Sequence, residues 1–332
     1  MSHARALVGY NKASQWQLMQ NLKTIPYFLK YLHKADALGS SILQLADYGS
    51  SEGFNSMVTF NTVLEQFRNS SNTPIMVFHT DTEENCWETL FKTINHSTES
   101  YKRLKNVYFS AIGTSFYNQL FPFNSIHLGY SVTSFHHLSK IPQRTSELGM
   151  MIPEVRAQLM EDLTLNLSYR INELAVGGYF VLSLPVTKPE NKNYFDKPLY
   201  DALLKLLNSG EITKEEYCSY LNQWYFIDYP AVDKVLSTFK DKIDIELNEI
   251  TDLYSPYFLK YKNDRNLNNF KVSFANFYKV LWKNNLKRSL KRSDEDKEKL
   301  IDRANQVLFE SISEEDVSVM NMNEIVFRKL KN

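Results

Sequence analysis

The chain has 332 residues, and its 38 Lys plus Arg balance 38 Asp plus Glu, so the formal net charge at pH 7 is zero. Such a chain carries no long-range field toward nucleic acid or an anionic membrane, and 43% hydrophobic against 23% charged residues excludes a disordered composition. At roughly 150 residues per domain the length predicts about two structural units, or one large α/β domain carrying an insertion.

Tyr10 to Lys34 reads as one or two helices broken near Pro26, with Leu18, Leu22 and Ile25 forming an apolar stripe. Ser41 to Ala46 is a short apolar run suited to a buried parallel strand, and Phe54 to Asn69 follows with helical spacing at Met57, Phe60, Val63, Leu64 and Phe67. Pro74 to Phe78 predicts a second buried strand, stopping at His79, Thr80 and Asp81; Glu84 to Glu99 then reads as a helix, Val107 to Ile112 as a third strand and Ser125 to Tyr130 as a fourth. Pro153 opens a helix running to Ala175, which Gly177 and Gly178 close before a strand from Tyr179 to Leu184. Strands alternating with helices predict a doubly wound, mostly parallel sheet with both faces covered.

After Pro185 the pattern changes. Residues 186–293 read as mainly helical, rich in rings and lysines and without a clear buried strand, which predicts an inserted cap; 1–185 and 294–332 then form the sheet domain. Asp294 to Glu310 is an amphipathic helix with Leu300, Ile301, Ala304 and Leu308 on one face and acids in its first turn, and Val317 to Met320 and Ile325 to Leu330 suit a final pair of strands. No run approaches the ~20 apolar residues of a membrane span. The N-terminal stretch has no long apolar segment of the signal-peptide kind, and Cys86 and Cys218 are the only cysteines, so a soluble chain in the reducing cytoplasm is expected.

The most informative window is Asp47 to Asn55, where two of ten glycines, Gly49 and Gly53, lie between a predicted strand and a predicted helix. Backbone N–H groups at such a carboxyl edge suit a ligand. The spacing is neither GxGxxG nor a Lys-Ser/Thr phosphate loop. Asp47 would repel a pyrophosphate but attract the ammonium of an amino-acid ligand, which points to S-adenosylmethionine. Asp81, ending the second strand, is placed to accept both ribose hydroxyls.

Four motifs in order resemble those of the SABATH family of S-adenosylmethionine-dependent methyltransferases. They are Tyr10 to Gln17, Ala46 to Asn55, Ser115 to Pro122 and His127 to Pro142. The family methylates carboxyl groups of small acids and, in one branch, xanthine ring nitrogens. The resemblance implies a Rossmann-like, seven-stranded sheet with an α-helical cap and a homodimer. It also implies cofactor contacts from Ser14, Asp47, Asn55, Asp81, Ser115 and Phe116, with Gly49 in the same loop, and a substrate-carboxylate contact from Gln17. The family's second carboxylate ligand is a tryptophan indole, and His137 stands there; Thr133 replaces a substrate-facing tyrosine. His136, Trp224 and Phe226 join these on the acceptor side.

On a helix Tyr10, Ser14 and Gln17 fall at i, i+4 and i+7 and face one direction, toward a bound ligand. A carboxylic acid with pKa near 4 is already an anion at neutral pH, so its methylation needs no general base. The rate then depends on holding one oxygen about 3 Å from the sulfonium methyl, in line with the departing sulfur. Gln17 and a neutral His137 are expected to donate to that carboxylate. The alternatives are N-methylation of a heterocycle, or a cofactor-binding protein that has lost transfer. The adjacent pair His136 and His137 diverges by about 100° on a helix, so a shared metal is not expected. Most of the 45 Tyr, Phe and Trp rings are expected in the core, and the basic run Lys279 to Arg292 as a solvated helix end rather than a nucleic-acid surface.

Overall fold

The structure is a computed structural model describing residues 14–140, 153–188, 197–220, 225–313 and 319–331. Its centre is one sheet built from β1 (Leu43–Tyr48), β2 (Ile75–Asp81), β3 (Val107–Gly113), β4 (Ile126–Val132), β5 (Leu174–Thr187), β6 (Ile227–Asp228), β7 (Ile243–Tyr254) and β8 (Val319–Lys329). Seven strands run in the order β3-β2-β1-β4-β5-β8-β7, with β6 paired beside β5. The first five strands are mutually parallel, while β8 runs antiparallel to both β5 and β7.

Apolar residues at a helical period cover both faces. On one, α1 (Gln15–Asp36), α2 (Phe54–Phe67) and α3 (Trp87–His96) pack Phe28, Leu32, Phe60, Leu64 and Leu90 against Leu45, Val77 and Val181. On the other, α4 (Pro153–Glu173) and α7 (Tyr229–Ser237) bury Leu163, Leu167 and Val232 against Ala46, Phe180 and Leu182. Each fully buried Leu or Phe contributes about 1.5–3 kcal/mol. A third cluster joins α5 (Lys197–Asn208), α6 (Lys214–Ser219), α8 (Pro256–Asp264), α9 (Leu267–Ser289) and α10 (Asp294–Ser311) around Trp282, Phe274 and Tyr278, and takes in Trp16 of α1.

Several expectations are corrected. α1 runs unbroken through Pro26, and Leu22 on its expected apolar stripe is exposed; the buried face includes the polar Gln20, Asn21 and Thr24. Most of their hydrogen-bonding groups are met inside: Gln20 Nε2 donates to Ser183 Oγ at 2.7 Å and to Glu324 Oε1 at 2.5 Å, and Thr24 Oγ1 lies 2.7 Å from Tyr130 Oη, while Gln20 Oε1 is buried without a partner among the described residues. Residues 186–293 are not free of sheet structure, since they supply β6 and the twelve-residue β7. The end of the chain forms one strand, β8, whose partners are β5 and β7. Gly177 does not close a helix; with φ +80° it sits inside β5, where the register against β4 shifts. α10 packs with the cap helices, its Leu300, Ile301, Ala304 and Leu308 inside their shared core. The basic run is met by acids: Lys279 pairs with Asp302 at 2.6 Å, Lys287 with Glu298 at 2.9 Å and Arg292 with Glu216 at 2.8 Å. Among the described residues no helix is long and apolar enough to cross a membrane.

Candidate active site

Strand order reverses between β1 and β4, and ligands of open α/β sheets bind in the crevice at such a switch point. The two loops leaving that point touch closely. Gly49 has φ +94°, and a Cβ there would lie 2.2 Å from Ser134 Oγ, so only glycine fits. The loop's N–H groups, expected to face a ligand, largely secure β2 instead. Gly49 and Ser50 donate to Thr80 O at 2.9 and 3.0 Å, Gly53 N donates to Ser50 O at 3.1 Å, and Ser51 N donates to Asp81 Oδ2 at 2.7 Å. α2 then starts from Gly53 with no side-chain cap on its first turn.

Asp81 is partly exposed at the end of β2, with Ser51 N on one oxygen and Thr82 N on the other at 2.8 Å. Burial pushes its carboxyl up to about 6, although both N–H donors favour the anion. Each oxygen keeps a further lone pair for a hydroxyl donor. Asp47 is 4% exposed and turns one oxygen inward: Oδ2 accepts from Ser56 Oγ and lies 3.1 Å from Nδ1 of His79, whose Nε2 is 2.6 Å from the Tyr101 hydroxyl. His79, Ser56 and Tyr101 were not singled out in the sequence; an Asp opposite a His on paired parallel strands is the only signal, since Asp47 and His79 are register partners.

Ser14 precedes α1 rather than lying within it. It exchanges two long contacts with Asn55 at the start of α2, its Oγ to Asn55 Oδ1 at 3.4 Å and Asn55 Nδ2 to its carbonyl at 3.3 Å. Gln17, in the first turn of α1, has its Oε1 buried without a hydrogen-bond partner among the described residues. The helix that carries it is fixed from below: Asn21 Nδ2 donates to Gln17 O at 2.8 Å and Asn21 Oδ1 accepts from Tyr130 Oη at 3.0 Å. Ser115 and Phe116 lie in the loop after β3, whose last residue Gly113 pairs with Asp81. That loop is held by a fully buried ion pair. Arg170 donates to Phe116 O at 3.1 Å and to Glu173 Oε1 at 2.8 Å, and Glu173 Oε1 also accepts from Leu120 N at 2.5 Å. Phe116, 7% exposed, packs on Tyr117 and Phe135 with centroids at 4.9 and 5.1 Å.

Thr133 has φ +54°, a left-handed conformation costly for a β-branched residue, and it starts the turn that carries the two histidines. His137 Nδ1 lies 3.0 Å from the carbonyl of Ser134, and its own carbonyl accepts from the Tyr117 hydroxyl. A carbonyl can only accept, so Nδ1 carries the hydrogen, and burial lowers the ring's pKa, which favours the neutral form. The neutral His137 therefore presents Nε2 as an acceptor, not as the donor expected from the sequence. His136, its pKa held well below the ordinary value by burial, lies tilted against His137 with ring centroids 4.6 Å apart and meets Phe226 edge-on at 5.9 Å. Gln17 and His137 lie on separate elements, and no hydrogen bond among the described residues links them. Tyr10 and Trp224 lie outside the described residues.

A doubly wound sheet with an acid ending β2 and a glycine turn after β1 is an α/β architecture suited to a nucleotide-bearing cofactor. The model of the SAM dependent carboxyl methyltransferases matches residues 5–329, nearly the whole chain, and the protein belongs to that family, the one its motifs resemble. It is an enzyme of that class, with S-adenosylmethionine as cofactor. Among relatives, the methyltransferase FUS9 of Gibberella fujikuroi is 25% identical over 264 residues, 78% of this chain and 74% of that protein. A probable 7-methylxanthine methyltransferase 3 of Theobroma cacao is 30% identical over 261 residues, 68% of this chain and 70% of that protein. The solved structure of a loganic acid methyltransferase with SAH superposes over 100% of this chain and 99% of its own, with a TM-score of 0.77 and 19% identity, so the fold is shared.

Proposed function

We propose that this enzyme methylates the carboxylate of a small apolar or aromatic acid, giving a methyl ester. The observation that carries the reading is Gln17, whose side-chain amide makes no hydrogen bond to the described residues, which leaves its Nε2 to donate to a ligand's carboxylate. The Gly49 turn and the acceptor pair of Asp81 fit S-adenosylmethionine, which supplies an electrophilic methyl whose carbon–sulfur bond breaks as the carboxylate oxygen forms the ester bond. Asp81 would hold the ribose hydroxyls and Asp47 the ammonium, with Ser14, Asn55, Ser115 and Phe116 completing the cofactor side. The Gln17 amide donates to one carboxylate oxygen and orients the other. The apolar cap near Phe226 keeps water out, which speeds the combination of an anion with a cation. No proton has to leave, so no base is required.

The test is Gln17→Ala. The expected result is about a tenfold or larger loss of kcat/KM for the acid, with S-adenosylhomocysteine affinity kept within about threefold. Equal losses in both would contradict the assignment.

One observation favours a second reading. An acceptor nitrogen at His137 suits a substrate N–H better than an anionic oxygen: the ring would orient a heterocycle, attack would come from its nitrogen, and the released proton would pass to Nε2. His137→Trp, which puts an indole donor there, separates the two. It preserves or raises activity toward acids under the first reading and abolishes activity toward N–H heterocycles under the second.

A further inference from the structure

Beneath the turn after β1 lies a buried polar chain that methyl transfer itself does not use. Asp47 is 4% exposed and His79 and Tyr101 are fully buried. The Tyr101 hydroxyl lies 2.6 Å from His79 Nε2, and His79 Nδ1 lies 3.1 Å from both Asp47 Oδ2 and Ser56 Oγ. The proton positions follow from the partners. A carboxylate only accepts, so Nδ1–H donates to Asp47; in the tautomer protonated there alone, Nε2 accepts from Tyr101. Burial raises the Tyr101 phenol well above its ordinary pKa, so its hydroxyl keeps the proton this arrangement requires. The imidazole is held in its plane by Phe60 and Phe109, edge-on at 5.7 and 6.4 Å.

Four segments meet at this ring. Asp47 is near the end of β1 and His79 stands two residues before Asp81 on β2. Ser56 follows Asn55 in the first turn of α2, and Tyr101 lies in the short 3-10 turn Tyr101–Arg103. The described hydrogen bonds to the Asp47 carboxylate all fall on Oδ2. Oδ1 accepts none among the described residues.

We propose that His79 is a positioning residue for cofactor binding: with Tyr101 behind it, it fixes the tautomer that holds Asp47 Oδ2 and thereby aims Oδ1 at the cofactor's ammonium group. This rests on the reading of Asp47 as a cofactor contact. Tyr101 is in turn the residue that selects the imidazole tautomer, as a hydrogen-bonded partner does for many functional histidines. The relay is separate from the acceptor side, so its loss affects one substrate and not the other.

Calorimetric titration of the purified protein with S-adenosylhomocysteine tests this on three variants, together with the KM for a carboxylic acid substrate. His79→Leu is expected to weaken S-adenosylhomocysteine about tenfold or more, since it leaves the carboxylate without its ring donor. His79→Asn keeps an N–H near the position of Nδ1 and should recover to within about threefold of native. Tyr101→Phe should weaken binding about threefold to tenfold, and none of the three should move the acid's KM by more than about twofold. Native affinity in folded His79→Leu, or equal weakness in the Leu and Asn variants, would overturn the proposal. Should His79→Leu fail to fold, Tyr101→Phe decides, and native affinity there overturns it. Asp47→Asn separates the two layers: if it binds normally, the Asp47 reading itself fails and the relay with it, whereas weak binding there with a normal His79→Leu removes the relay alone.

Discussion

Lowering the pH should titrate cofactor affinity through one carboxyl. Burial raises the Asp81 carboxyl to about 6 from its ordinary 3.8. The folded value lies above the ordinary one, so the cost of ionising it is absent below pH 3.8, grows with pH and is complete above about 6. At 1.36 kcal/mol per pH unit, a gap of about 2.2 puts that cost at about 3 kcal/mol, an upper figure because Asp81 is partly exposed. Ribose hydroxyls need the charged form, because a protonated carboxyl gives up one acceptor oxygen. If only the anion binds, the Kd of S-adenosylhomocysteine rises by the factor 1 + 10^(6 − pH): about 1.1 at pH 7 and about 11 at pH 5. Calorimetry between about pH 5 and 8 reads this curve. Asp81→Ala should bind more weakly at every pH and lose the inflection. Constant native affinity down to pH 5, or an inflection that survives in Asp81→Ala, would exclude Asp81 as the titrating contact.

Gly49→Ala should lower stability by about 1–3 kcal/mol in urea titration and weaken the cofactor, because it adds a Cβ 2.2 Å from Ser134 Oγ at a positive φ; native behaviour would mean the turn can relax. Arg170→Met leaves Glu173 charged and fully buried and should cost about 3–5 kcal/mol, part of it recovered in the double variant with Glu173→Gln. A loss under about 1 kcal/mol would show that water reaches the pair. Glu324 is pushed up by burial, so its folded-state charge costs stability as pH rises through its raised value. Glu324→Gln can still accept from Gln20 and Thr251, and should melt higher than the native protein at about pH 8 but not at about pH 4; a lower melting point at pH 8 contradicts this.

The inner strands of the parallel half were legible because they are buried on both faces and read as short apolar runs: Leu45, Ala46, Val77 and Leu128 are all fully buried. β7 was not, because IDIELNEITDLY lies on the antiparallel edge of the sheet, where only Ile243 and Leu253 are buried. Its alternating acids resemble a helix surface. β8 read as two strands because Asn321, Asn323 and Glu324 interrupt its apolar pattern, yet all three are buried and hydrogen-bonded in the fold. The inner face of α1 escaped for the same reason: Gln20, Asn21 and Thr24 are core residues by their partners, not by their hydropathy. At the site, residue identity marked Asp47, Asp81, Gly49 and Gln17. What it could not show is direction. His137 Nδ1 meets the carbonyl of Ser134, and Asp47 Oδ2 meets His79 and Ser56, contacts that exist only after the turns close.

Purified enzyme is given S-adenosylmethionine labelled in its methyl group, with a panel of aromatic and aliphatic carboxylic acids and, separately, N–H heterocycles. Label is expected to move to one of the acids, in equal amount with the S-adenosylhomocysteine formed, and to be released as methanol by mild base. Label found only on a heterocycle, stable to the same base, would contradict carboxyl methylation.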